Sequence, residues 1–259
     1  DASYGNWGYW MDYHDNIYNY ENIKNAFFKV PIDSVGTLQL SMRLRYNNAT
    51  NDFSQNTPVP DKNMFSTFVV NTMSAGGDPM IMKAKIFSKY IDTLIEANLP
   101  NLKTIRIGTK ALAYWPYKFL TDSDSQEMLD IFKKITDSGL HLAFMAHFNH
   151  LNELSTDAVK DAIREVRKTG AQIRTQSPLL THINDDAEMW AKMWTKQVEL
   201  GCIPYYMFVV RDTGAQHYFG IPLVKAHEIY KKAYSSVSGI ARTVRGPSMS
   251  ATPGKVHVM

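Results

Sequence analysis

Cysteine occurs once in the 259 residues, at Cys202. One thiol cannot form an internal disulfide or a thiolate-only metal cluster, so a reduced, cytoplasmic setting is the natural expectation. No run of 18 or more apolar residues occurs, so no transmembrane helix is expected. The first residues, Asp1-Ala2-Ser3-Tyr4, lack the basic and apolar regions of a secretory signal. A start at Asp rather than Met suggests a fragment or a processed start. Excess charge of one sign is missing too. The 28 basic and 25 acidic residues give +3 and are well mixed, which leaves no nucleic-acid or membrane footprint. Asn48-Ala49-Thr50 has the form of a glycosylation acceptor, but without a secretory signal it reads as chance.

What is present is a soluble globular composition, 44% apolar and 20% charged, in a chain long enough for a large α/β core. Residues 1–36 form an aromatic lead-in (Trp7, Tyr9, Trp10, Tyr13), with a short amphipathic helix expected at about 19–28. Residues 37–46 alternate polar and apolar as a half-buried strand does, and 47–63 reads as a loop of unusual length. From residue 66 the pattern becomes regular. Strands are expected at 66–73, 103–109, 141–148, 171–176 and 202–210, and helices at 83–97, 124–138, 156–169, 186–200 and 223–236. Ser155-Thr156-Asp157 and Asn184-Asp185-Asp186 are helix-start signals, and Gly139, Gly170 and Gly201 close three helices. Strand starts fall about 30 to 38 residues apart, the length of a βα unit. The expected fold class is therefore α/β with a parallel sheet, closing as a partial βα barrel across 37–240; a flat doubly wound sheet stays open. The barrel pattern fails after about Ser238, and 241–259 reads as an ordered tail or loop.

In a parallel barrel the ligand site lies where strands end at their C-terminal side. The residues there are Gly76, Gly77 and Asp78; Arg106 and Lys110; His147, Asn149 and His150; Arg174 and Gln176; Arg211 and Asp212. Such a mouth suits a charged small molecule. At Asp78-Pro79, helix capping competes with binding of a ligand ammonium. His147 and His150 sit at i and i+3 of a strand end with no carboxylate at ligand spacing. Hydrogen bonding to an anionic or amino-acid ligand therefore competes with plain packing, ahead of metal ligation. Trp190 and Trp194 read as core packing. By position, Lys255 after Pro253-Gly254 is a solvated lysine unless its tail folds back over the mouth.

Six segments occurring in order resemble the lysine 2,3-aminomutase family: A-G-G-D-P at 75–79, I-R-I-G-T-K at 105–110, H-F-N-H-L-N-E at 147–153, T-Q-S-P-L-L-T-H-I-N-D-D at 175–186, I-P-Y-Y-M-F at 203–208 and P-G-K at 253–255. The resemblance covers roughly residues 66–259, and the aromatic lead-in is similar too. It implies a radical S-adenosylmethionine barrel with pyridoxal phosphate, catalysing a 1,2-amino shift on an amino acid. A reduced [4Fe-4S] cluster would cleave S-adenosylmethionine to a 5′-deoxyadenosyl radical, and the amino group would migrate through its imine link to pyridoxal phosphate. Carried over by position, Gly76, Gly77 and Asp78 match the turn that holds the methionyl part of S-adenosylmethionine. His147 and Gln176 match residues beside that cofactor. Lys255 matches the lysine of the internal aldimine with pyridoxal phosphate, and Asp212 lies near a substrate-amine aspartate. The small-molecule partner implied is an amino acid, and a homo-oligomer is left open.

The departures are as informative. The cluster requires cysteines in a C-x-x-x-C-x-x-C run, and this sequence has none. Few residues separate the lead-in from the Gly-Gly turn, and the irregular stretch at 47–63 falls where the chain looks cut. Ala75 replaces a usual hydroxyl residue, and Ser248 stands where a second substrate aspartate would be. An incomplete or inactive enzyme is therefore expected. The alternatives are a non-catalytic remnant that binds pyridoxal phosphate or an amino acid, or a different βα-barrel Schiff-base enzyme using Lys110 or Lys255.

Overall fold

The computed structural model describes residues 41–42, 67–72, 78–210, 215–251 and 254–258. The expected helix at 19–28, the loop at 47–63 and most of the 37–46 strand lie outside the described residues. Among those described, one sheet has the strand order β1 to β8: β1 Ser41–Met42, β2 Thr67–Thr72, β3 Thr104–Thr109, β4 His141–His147, β5 Gln172–Leu179, β6 Ile203–Val209, β7 Pro247–Ala251 and β8 Gly254–His257. All neighbours pair in parallel except β7 and β8, which form an antiparallel hairpin. The order follows the chain without reversal, so right-handed crossovers keep the helices on one side of the sheet. A doubly wound sheet would reverse at a switch point. The fold is α/β, a partial parallel βα barrel.

The helices are α1 Ala84–Glu96, α2 Ala111–Tyr114, α3 Ser125–Asp137, α4 Asp157–Lys168, α5 Ala187–Glu199, α6 Gln216–Phe219 and α7 Leu223–Ser235. Their starts are built as the sequence indicates. Thr156 accepts from the Val159 N–H and Asp186 from the Met189 N–H, each satisfying an amide that the helix leaves open. Gly170 and Gly201 follow the ends of α4 and α5 with φ of +88° and +75°, a conformation that other residues enter at a cost, and Gly139 ends α3 in the same way.

Between sheet and helices lies the apolar core. Ile105, Ile107, Phe144 and Ile173 face it from the strands. Phe132 packs against Phe87, Phe119 and Phe144 with ring centroids 5.6–6.3 Å apart. Trp190 and Trp194 are buried in this layer, as expected, and the Trp190 Nε1–H donates to the Asn184 carbonyl at 2.6 Å.

Two differences from expectation have physical causes. The stretch read as a tail adds a hairpin to the sheet edge, with Pro247 and Ser248 opposite Met207 and Phe208 and Lys255 opposite Ser250. β5 also runs past Gln176 to Leu179, with a register irregularity at Thr175/Gln176 before Pro178. Proline only removes a donor there, and does not end the strand. Among the described residues, no helix is long and apolar enough to cross a membrane.

Candidate functional site

Alternation along the strands separates two faces. Ile105, Ile107, Phe144, Ile173 and Thr175 face the helices; the Thr175 hydroxyl donates to Gln197 Oε1 on α5 at 2.7 Å. The intervening positions, Arg106, Gly108, Ala143, Met145, His147, Arg174 and Gln176, therefore make the inner wall. His147 and Gln176 are register partners at the strand ends.

Among the described residues, three polar atoms on this wall are buried without a hydrogen-bond partner: His147 Nε2, Gln176 Oε1 and Ser248 Oγ; a fourth, His227 Nδ1, lies on α7. Leaving such an atom unpaired costs roughly 1–3 kcal/mol, so three together are built to meet something polar. Burial pushes the His147 imidazole down to about 4; Lys110 adds to this, while Glu153, Asn149 and Asp78 oppose it. His147 is thus neutral at physiological pH, able to donate from one nitrogen and accept at the other.

Above the wall, the strand-end loops are tied together. Asp78 Oδ1 accepts from the Met80 N–H at 2.9 Å and the Thr109 hydroxyl at 2.5 Å, and Oδ2 accepts from the Lys110 N–H at 2.6 Å. The carboxylate expected to take a ligand ammonium thus caps the Pro79–Ile81 turn and joins it to the end of β3. The Lys110 ammonium pairs with Glu153 Oε1 at 2.9 Å, and Glu153 Oε2 accepts from the Asn149 N–H at 2.6 Å. His150 turns away to accept from the Asn152 N–H through Nδ1. The Asn184 side chain bonds the Leu180 N–H at 2.7 Å and the carbonyls of Asn149 at 2.8 Å and Pro178 at 2.9 Å. Asn184→Ala would orphan these groups, and chemical denaturation should show a loss of about 2 kcal/mol. A change below about 0.5 kcal/mol would mean that water replaces the amide.

Of the residues expected at the site, His147 and Gln176 meet on the inner wall and Asp78 stands at the rim. Lys255 is described by its backbone alone. Gly76, Gly77 and Asp212 lie outside the described residues. Ser248, noted in the sequence only as a departure from an aspartate position, is buried here because the stretch that reads as a tail pairs with β6. Cys202 precedes β6, at the opposite end of the sheet from the mouth. Burial pushes its thiol up to about 12, with Arg167 pulling the other way. Among the described residues, no group of three His, Cys, Asp or Glu could hold a metal ion.

No protein-family model matches the chain. Over 189 residues, 73% of this chain, it is 34% identical to an Aquifex aeolicus protein provisionally named L-lysine 2,3-aminomutase, covering 49% of that relative. The L-lysine 2,3-aminomutase of Escherichia coli is 27% identical over 184 residues, 69% of this chain and 50% of the relative. The matched part of this chain is homologous to the lysine 2,3-aminomutases. The chain spans about half the length of the curated aminomutases that it matches. A radical SAM methyltransferase structure from Sphaerobacter thermophilus aligns with a TM-score of 0.42 and 14% identity over 71% of this chain and 52% of that one, too loosely to argue from.

Proposed function

We propose that this chain is an aminomutase-like protein that holds an α-amino acid with S-adenosylmethionine and pyridoxal phosphate in the mouth of its barrel, for a 1,2-amino shift. The observation that carries this reading is the unpartnered set of His147 Nε2, Gln176 Oε1 and Ser248 Oγ, buried on the inner wall of a chain with aminomutase relatives. In this reading, His147 and Gln176 hydrogen-bond S-adenosylmethionine, while Gly76, Gly77 and Asp78 form the turn around its methionyl end. Lys255 carries pyridoxal phosphate, which supplies the electron-accepting ring through which an amino group can shift. Asp212 is assigned to the substrate amine by its position in the sequence pattern alone. The chain's own work is to orient these groups and keep water from them. Adding pyridoxal phosphate should give a long-wavelength absorption band that is absent in Lys255→Ala; the same band in the variant would sink the lysine assignment.

The iron-sulfur cluster fits less well. Its thiolates have no source among these residues, because the one cysteine, Cys202, is buried at the far end of the sheet with its thiol pushed up to about 12. That favours a second reading, a chain that binds pyridoxal phosphate or an amino acid without turning it over alone. Anaerobic reconstitution with iron and sulfide separates the two. Cluster absorbance with S-adenosylmethionine cleavage supports turnover by this chain, and their absence supports binding only.

A further inference from the structure

None of the strands β1 to β8 contains an aspartate or a glutamate. Their charged side chains are basic. Arg106 on β3 alternates with the core residues Ile105 and Ile107, and Arg174 on β5 alternates with Ile173 and Thr175, so both arginines lie on the inner wall. Register sets Arg106 level with Ala143, and Arg174 two residues higher, level with Met145. The rise per residue and the strand spacing put the two backbones on the order of 12 Å apart, within converging reach of two arginine side chains. Gly108 and Ala143 leave the wall low between them.

The Arg174 guanidinium lies 5.4 Å from the Tyr205 ring centroid, and Tyr205 lies against Tyr206 with centroids 4.1 Å apart. Burial, with the Tyr205 hydrogen bond, pushes the Tyr206 phenol up to about 12, while the charges of Arg106 and Arg245 pull it down. No ion pair among the described residues neutralises Arg106, Arg174 or Arg245. The one hydrogen bond found for these guanidiniums runs from Arg174 Nη2 to Gln172 Oε1 at 3.5 Å.

Two forked donors without a counter-charge, on strands whose described residues carry no carboxylate, are a receptor for an oxyanion. Resting on the reading above, we infer that the inner wall takes an anionic group, a carboxylate or a phosphate, between Arg106 and Arg174. It is unsuited to a second ammonium such as the side chain of L-lysine. The anion has two sources: an acidic side chain on the amino-acid substrate, or the phosphate of the cofactor.

Calorimetric titration of the full, cofactor-free chain at constant ionic strength tests this, with inorganic phosphate, glutarate and 1,5-diaminopentane as separate titrants. At least one anion should bind at least tenfold more tightly than the diamine. Binding by glutarate assigns the site to an acidic substrate, and binding by phosphate alone assigns it to the cofactor. Arg106→Gln with Arg174→Gln should weaken the anion at least tenfold, and Arg106→Lys with Arg174→Lys, which keep the charge but not the fork, by an intermediate factor. Arg164→Gln, on the exposed face of α4 beside Asp161, should change nothing. The inference is overturned if neither anion binds, if the diamine binds as tightly, or if the double glutamine variant keeps wild-type affinity. Cofactor is absent throughout, so a failure here leaves the Lys255 absorbance test standing, and the reverse also holds.

Discussion

Lys118→Met is expected to lower the unfolding free energy by about 3–5 kcal/mol, the usual cost of removing one partner of a buried ion pair. The Lys118 side chain is fully buried, and its ammonium lies 3.0 Å from both carboxylate oxygens of Asp124. It also reaches the Met82 carbonyl at 3.3 Å and lies 5.4 Å from the Trp115 ring centroid. Asp124 Oδ2 accepts from the Ala84 N–H at 2.8 Å, so the pair anchors the first residue of α1, six positions after Asp78. Burial alone would push the Asp124 carboxyl up, but the Ala84 N–H, Lys118 and Lys83 outweigh it and leave it below its ordinary 3.8. A depressed carboxyl stabilises the fold above its ordinary value, and that contribution is lost as pH falls through the folded value. In Lys118→Met the carboxyl is left buried without its cation, so the deficit should shrink in acid, where a proton replaces the ammonium. Urea unfolding at pH 7 and near pH 4 checks both the size and the trend. Adding Asp124→Leu to the variant should recover part of the loss, since two apolar residues leave no stranded charge. A loss below about 1 kcal/mol at pH 7 would mean that water reaches the site.

The regular part of this fold was legible because its helices and strands differ in period. The five helices expected from apolar stripes occur within one or two residues of their expected ends, as do the starts of the five strands. α2 and the turn at Pro116–Phe119 escaped notice because four residues cannot establish a 3.6-residue period. The 247–257 hairpin escaped because Ser, Gly and Pro carry little apolar signal, and its place is set by pairing with distant β6. The site was legible as a set of strand-end residues, but its division of labour was not. Asp78, Lys110 and Glu153 bond mainly to one another and to the backbone, a matter of contacts between loops far apart in sequence. Arg106 and Arg174 were visible in the sequence, and parity with the isoleucines beside them marks them as inward. What parity cannot reveal is that no carboxylate among the described residues meets them.

Stability should fall by roughly 3 kcal/mol between about pH 6.5 and pH 4 through His147 alone, at about 1.4 kcal/mol per unit of displacement. Its imidazole is held down to about 4 from 6.5, chiefly by burial and then by Lys110. A histidine lowered in the folded state is neutral there while the unfolded chain already binds its proton. Its stability contribution is therefore complete above about 6.5, shrinks as pH falls, and is constant again below about 4. His141, lowered by burial and then by Arg174, adds a slope of the same sign. Asp92 and Asp124 lie below their ordinary 3.8 and act at lower pH, so among the shifts found in the described residues His147 and His141 act in this window. His147→Gln keeps a polar side chain but cannot titrate. Its unfolding free energy, measured by denaturant in steps across the window, should be flatter than wild type by that same roughly 3 kcal/mol. Parallel curves for the two proteins would show that water already solvates Nε2. In the bare protein the orphaned nitrogen then becomes a reporter: a ligand that fills the mouth and hydrogen-bonds the neutral imidazole should move the wild-type midpoint to lower pH and leave His147→Gln unmoved.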